Sequence, residues 1–127
     1  MSSGFVVIGL DTLVDDLAGS VKKVRKNART ATAVTARKVQ LDARRYVRGF
    51  RHLPQYPASI TYSVRLTEIG VEAEIGPDKD RAQGPLGNLI EYGSINNPPT
   101  PHLGPALEAN ADDLAVGMAI ALRQALP

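Results

Sequence analysis

A chain of 127 residues, 43% of them hydrophobic, is long enough for one domain with its own core and too short for two. Aromatics make up only 5%, so alanine, valine and leucine must do most of the packing; with no cysteine, disulfides, thiolate metal sites and cysteine nucleophiles are excluded. Net charge is +2, yet residues 21–51 hold eleven Lys and Arg against the single acid Asp42, while the remainder holds four basic and twelve acidic groups. A positive bar on an acidic body bears on association, not on fold.

Neither a basic leader with an apolar run of signal-peptide length nor a span of transmembrane length is present, so a soluble protein made in the cytosol is expected. Residues 5–10, FVVIGL, are a short β-branched run and predict a strand. Asp11 then offers an N-cap, with Asp15 and Asp16 near the positive end of a helix dipole. Leu13, Leu17, Val21, Val24, Ala28 and Ala31 keep the helical period, and Gly49 would stop a helix running to Arg48. Residues 12–48 as one helix would span roughly 55 Å, against a diameter of about 36 Å for a compact chain of this length. Such a helix must bend, with Gly19 and Ser20 the place for it, or project and be buried against a neighbour; projection is the expectation.

Two prolines in RHLPQYP, residues 51–57, open a new unit. Ile60, Tyr62, Val64 and Leu66 alternate with Thr61, Ser63 and Arg65, and Val71, Ala73 and Ile75 alternate with Glu72 and Glu74. A four-residue loop at 67–70 sets Leu66 opposite Val71, Val64 opposite Ala73, and Arg65 opposite Glu72, a charge pair that supports the register. Residues 76–84, GPDKDRAQG, hold nothing that asks for burial and predict a mobile surface loop. Pro85 starts a short helix through Tyr92 with Leu86, Leu89 and Ile90 inward. Pro98, Pro99 and Pro101 stiffen an extended arm, and Pro105 is placed as the first residue of a final helix. That helix repeats Leu107, Ala111, Leu114, Met118, Leu122 and Ala125, and its small residues Ala115, Gly117, Ala119 and Ala121 would allow another helix to come close.

Catalytic chemistry has little to work with. His52 and His102 stand alone, without a carboxylate or second histidine at ligand spacing, and read as ordinary packed or surface histidines. No nucleophile elbow, phosphate loop or zinc-protease motif occurs. No enzyme activity, cofactor, metal, small-molecule substrate or membrane partner is expected. The basic bar has three readings: a solvated face, a docking surface for an acidic protein through Lys22, Lys23 and Lys26, or a nucleic-acid contact. No aromatic stacking residue is interleaved with the cations of the bar before Tyr46, which favours protein over nucleic acid. For the arm, a folding role and a partner contact compete; Gly93 as a helix cap explains the glycine, but not the polar, proline-rich extension after it.

An apolar segment closing in Ile90-Glu91-Tyr92-Gly93-Ser94, followed after a short linker by Pro99-Thr100-Pro101-His102-Leu103-Gly104-Pro105-Ala106-Leu107 and an amphipathic helix, resembles the small neck or tail-completion proteins of long-tailed phages. In that family His102 stands where phenylalanine is common. The resemblance implies a structural virion protein that completes the tail or joins it to the head, as a homo-oligomeric ring around the DNA channel. Its implied neighbours are head-tail connector, tail terminator or tail tube proteins, with genomic DNA passing through. It implies residence in the virion, with the host cytoplasm as the place of assembly. The residues expected at partner contacts are Tyr92, Gly93, Ser94, Pro99, Pro101, His102, Leu103 and Pro105, together with the lysines of the bar. Residues 1–127 are expected as a single α+β domain: an antiparallel sheet of three to four short strands packed against a long N-terminal helix and a C-terminal helix. The alternative is a small nucleic-acid-binding or regulatory protein using the basic helix 21–51.

Overall fold

The computed structural model describes the backbone of residues 3–68 and 70–125, and the side chains within them from Gly19 onward. The chain is organised on α1 (Ser3–Tyr46), a helix of 44 residues and so about 66 Å long. Residues 5–10 are helical, not a strand, and Asp11 lies well inside α1 instead of capping it. β-Branched residues disfavour a helix only weakly, and extending a helix that already exists needs no new nucleus. The helix runs through Gly19 and Ser20 without interruption, ends two residues before Arg48, and is followed by Gly49 at φ +89°. The side chains of Leu13, Asp15, Asp16 and Leu17 lie outside those described.

After α2 (Tyr56–Ser59), β1 (Ile60–Leu66) and β2 (Val71–Pro77) pair antiparallel, with Leu66 on Val71, Val64 on Ala73 and Arg65 on Glu72 as the alternation predicts. Arg65 reaches Glu72 Oε2 through Nε at 2.9 Å and Nη2 at 2.7 Å. Among the described residues the sheet has these two strands, not three or four. Residues 5–10 have gone to the helix, and the proline arm lacks the donors a strand needs.

The hairpin is fixed to α1 at both ends by its own carbonyls. Arg44 donates to Ile60 O from Nε (3.1 Å) and Nη2 (2.7 Å), joined by Gln40 Nε2 (3.0 Å), and Arg25 Nη2 donates to Thr67 O at 2.7 Å. The nineteen residue steps from Arg25 to Arg44 rise about 28 Å, close to the roughly 24 Å of a seven-residue strand. Two cations of the basic bar therefore hold the fold and are not part of an outward bar.

The last helix, α4 (Leu103–Ala125), lies antiparallel along α1 and not over the sheet. Asn110 Nδ2 donates to Asp42 Oδ2 at 2.9 Å, Lys38 meets Asp113 at 3.2 Å, and Asn27 Nδ2 reaches Ala121 O at 3.4 Å. The inward stripe is Ala106, Asn110, Ala121 and Ala125, with Gly117 so near α1 that a Cβ there would sit 3.3 Å from that of Ala31. The expected stripe is thus turned: Leu107, Ala111 and Leu122 face solvent, as do Ala115 and Ala119, while Leu114 and Met118 are half-buried. Close approach to the alanine side of α1 favours small residues inside and leaves bulky ones out.

A 3-10 turn (Gly84–Leu86) leads into α3 (Gly87–Tyr92), whose inward residues are Gly87, Ile90 and Glu91; Leu86 and Leu89 are exposed, contrary to expectation. The core gathers Val39, Ala43 and Val47 of α1 with Tyr56, Ile60, Ile90 and Ala106. Among the described residues no helix is long and apolar enough to cross a membrane.

Residues 79–82 of the surface loop are exposed as expected, but its backbone is closed by hydrogen bonds: Asp78 N to Ser59 O (2.7 Å), Arg81 N to Asp78 O (3.1 Å) and Gly84 N to Arg81 O (3.0 Å). Arg81 Nη1 adds a bond to Ala58 O at 3.0 Å. A Cβ on Gly84 would overlap the Asp78 carbonyl, which is backbone and cannot turn away. Gly84→Ala should therefore lower stability by about 2 kcal/mol in urea unfolding. An unchanged midpoint would mean that this loop opens at no cost.

Candidate interaction surface

Glu91 is the residue on which the motif turns. Almost wholly buried at the end of α3, its carboxylate accepts from the backbone N–H of His102 (Oε1, 3.1 Å), Leu103 (Oε1, 2.8 Å) and Gly104 (Oε2, 3.4 Å). These are donors at the start of α4 that have no partner inside the helix, and a negative charge suits the positive end of its dipole. α4 begins at Leu103, so Pro105 is its third residue and not its first; its missing N–H is still among those a helix start leaves unbonded.

His102 is 0% exposed. Its ring meets Tyr56 edge-on, with Tyr56 Oη 2.7 Å from Nε2, while Nδ1 lies 3.0 Å from Thr100 O and 3.1 Å from Glu91 Oε1. Both groups at Nδ1 are acceptors, so Nδ1 carries the proton and Nε2 accepts from the tyrosine hydroxyl. Burial first, and then the Glu91 charge, push the Tyr56 hydroxyl up to about 12, so it remains a donor. A position read as a partner contact is thus an interior one.

The arm is docked on its own chain. Thr100 N donates to Ile90 O at 2.7 Å, and Gly93 N to Leu89 O at 2.9 Å. Gly93 adopts φ +82° and ψ 174°, a region that only glycine visits easily, and a Cβ there would come within 2.8 Å of Pro99 N. Ser94 and Asn97 close a tight loop through Ser94 N to Asn97 O at 2.9 Å. At its tip Ile95 is fully exposed, and Tyr92 beside it is 78% exposed. Ser94, Pro99, Pro101 and Pro105 are exposed, Gly93 is intermediate, and Leu103 is half-buried against the core. Ile95 escaped sequence reasoning because a lone isoleucine in a polar turn has no periodicity to mark it.

Between the arm, α3 and the turn after α1 lies a cleft of about 580 Å³, floored by Phe50, Leu53, Leu89 and Ile90 and edged by His52 and Pro98. Among the described residues no carboxylate lines it, and His52 meets no acid–base partner from them there.

Of the eleven cations in residues 21–51, Arg25 and Arg44 hold the hairpin, Lys38 pairs with Asp113, and Arg45 pairs with Asp42 at 3.2 Å while lying over the Tyr46 ring. Lys22, Lys23, Lys26, Arg29, Arg37, Arg48 and Arg51 are exposed and make no ion pair among the described residues. The three lysines expected at a partner contact are thus together on open surface. Compared with known protein families, with curated proteins and with solved structures, the chain matches none.

Proposed function

We propose that the protein is a non-enzymatic structural component of the neck of a long-tailed phage, forming a ring that completes the tail or joins it to the head around the DNA channel. The observation that carries an assembly role is the inversion of ordinary burial: alanine and glycine line the α1–α4 contact, while Val34, Leu107, Val116, Ile120 and Leu122 stand exposed along with Tyr92 and Ile95. Of these, Val34, Val116 and Ile120 line one groove between α1 and α4, and contiguous exposed apolar surface marks places that other chains cover. The phage setting rests on the resemblance of residues 90–94 and 99–107. The geometry adds a reason for that motif: its glutamate caps the start of α4 and its glycine turns the chain out of α3, while Tyr92, Ser94, Pro99, Pro101 and Pro105 stand exposed, where neighbouring connector, terminator or tube proteins would meet them.

Particles made without this protein should accumulate as separate heads and tails, and adding the purified protein to such an extract should restore joined, infectious particles. Normal particles formed in its absence would reject the reading. The cations without ion pairs support the second reading, a small nucleic-acid-binding or regulatory protein. That one requires a salt-dependent mobility shift of duplex DNA and normal particles without the protein.

A further inference from the structure

α1 packs against the hairpin, held through Arg25, Gln40 and Arg44, and against α4, through Asn27, Ala31, Lys38 and Asp42. The surface it leaves open carries Lys22, Lys26, Arg29 and Arg37 at helical spacing, with Lys23 and Leu41 beside them, all exposed. No carboxylate pairs with these cations among the described residues. On α4 the side turned away from α1 is Glu108, Asp112, Ala115, Ala119 and Leu122, each exposed and also at helical spacing. Glu108 and Asp112 stand one turn apart with no ion pair among the described residues, and α4 has no basic residue before Arg123.

We propose that the open cationic flank of α1 in one copy docks on the acidic outer face of α4 in the next copy. The two faces carry opposite charge: at least four cations on one side, and on the other two carboxylates one turn apart near the start of α4. Each face also brings apolar surface to bury, Leu41 on α1 and Leu122 on α4, while Ala115 and Ala119 let the helices approach. The two faces lie on different flanks of the same molecule, so they cannot meet within one chain. A contact of this heterologous kind repeats, and closes as a ring when its rotation allows. The inference rests on the assembly reading above and names the surfaces by which copies would meet. An acidic protein of another kind, or DNA, would use only the α1 face.

Charge reversal tests this with the purified protein, followed by analytical ultracentrifugation at low salt. Wild type should self-associate, and salt should reverse the association. Glu108→Lys with Asp112→Lys, and separately Lys22→Glu with Lys26→Glu and Arg29→Glu, should each raise the dissociation constant by about tenfold or more. Both sets lie on exposed positions, and unchanged helical circular dichroism would show them folded. Mixing the two variants should restore assembly, because each then supplies the charge the other lacks. A mixture that stays monomeric, a wild type that never associates, or α4 reversals without effect would overturn the proposal. So would a salt-dependent shift of duplex DNA that is lost only in the α1 variant. If mixing restores assembly but the protein is absent from purified particles, the interface stands and the neck reading falls.

Discussion

Replacing Glu91 with alanine should lower the stability of the folded chain by about 3 kcal/mol, and its melting temperature by about 10 °C. Three backbone donors at the start of α4 lose the carboxylate they share. The region is interior, so water cannot replace the carboxylate freely: His102 is fully buried and Glu91 nearly so. Glu91→Gln keeps an acceptor oxygen but loses the charge that favours the helix dipole, and should cost roughly half as much. Urea unfolding of the three proteins gives the comparison. An alanine variant within 0.5 kcal/mol of wild type, a margin of about that of ordinary surface changes, would mean that α4 does not depend on this cap.

The second large effect appears at high pH. Tyr56 is raised to about 12 in the folded chain from an ordinary value of 10.0, by burial and then by the Glu91 charge. A group whose folded value is raised favours folding in full below its unfolded value, and that contribution disappears as pH climbs through the folded one. Stability should therefore fall between pH 10 and 12 by up to about 3 kcal/mol more in wild type than in Tyr56→Phe. At neutral pH the phenylalanine variant is itself weaker by about 1–2 kcal/mol, since His102 Nε2 is left buried without its donor. His102→Phe leaves the tyrosine hydroxyl in the same position. Changing both residues to phenylalanine should recover much of the loss, a coupling that a double-mutant cycle reads directly. Additive losses would show that the hydrogen bond carries no weight.

The hairpin was legible because period-two alternation, a short loop and one cross-strand charge pair all specify the same register, and α1 followed its long helical repeat. Other features depended on partners distant in sequence. The N-terminal valines disfavour a helix only weakly, and the outcome follows from the helix already running behind them. On α4 an alanine–glycine stripe and a leucine–methionine stripe keep the same period; the alanine side of α1 selects the first. Glu91 caps a helix eleven residues away, outside the three-residue spacing of a local capping box. His102 looked isolated because Tyr56, its partner, lies forty-six positions earlier. Arg25 and Arg44 read as two more charges of a bar until the hairpin carbonyls lay beside them.

Cryo-electron microscopy of the intact particle tests the neck reading most directly. It should show a ring of this chain between head and tail, with the α1–α4 pair and the Tyr92–Ile95 corner of each copy covered by adjacent chains. A neck with no density for this chain, in particles that carry DNA and a joined tail, would contradict it.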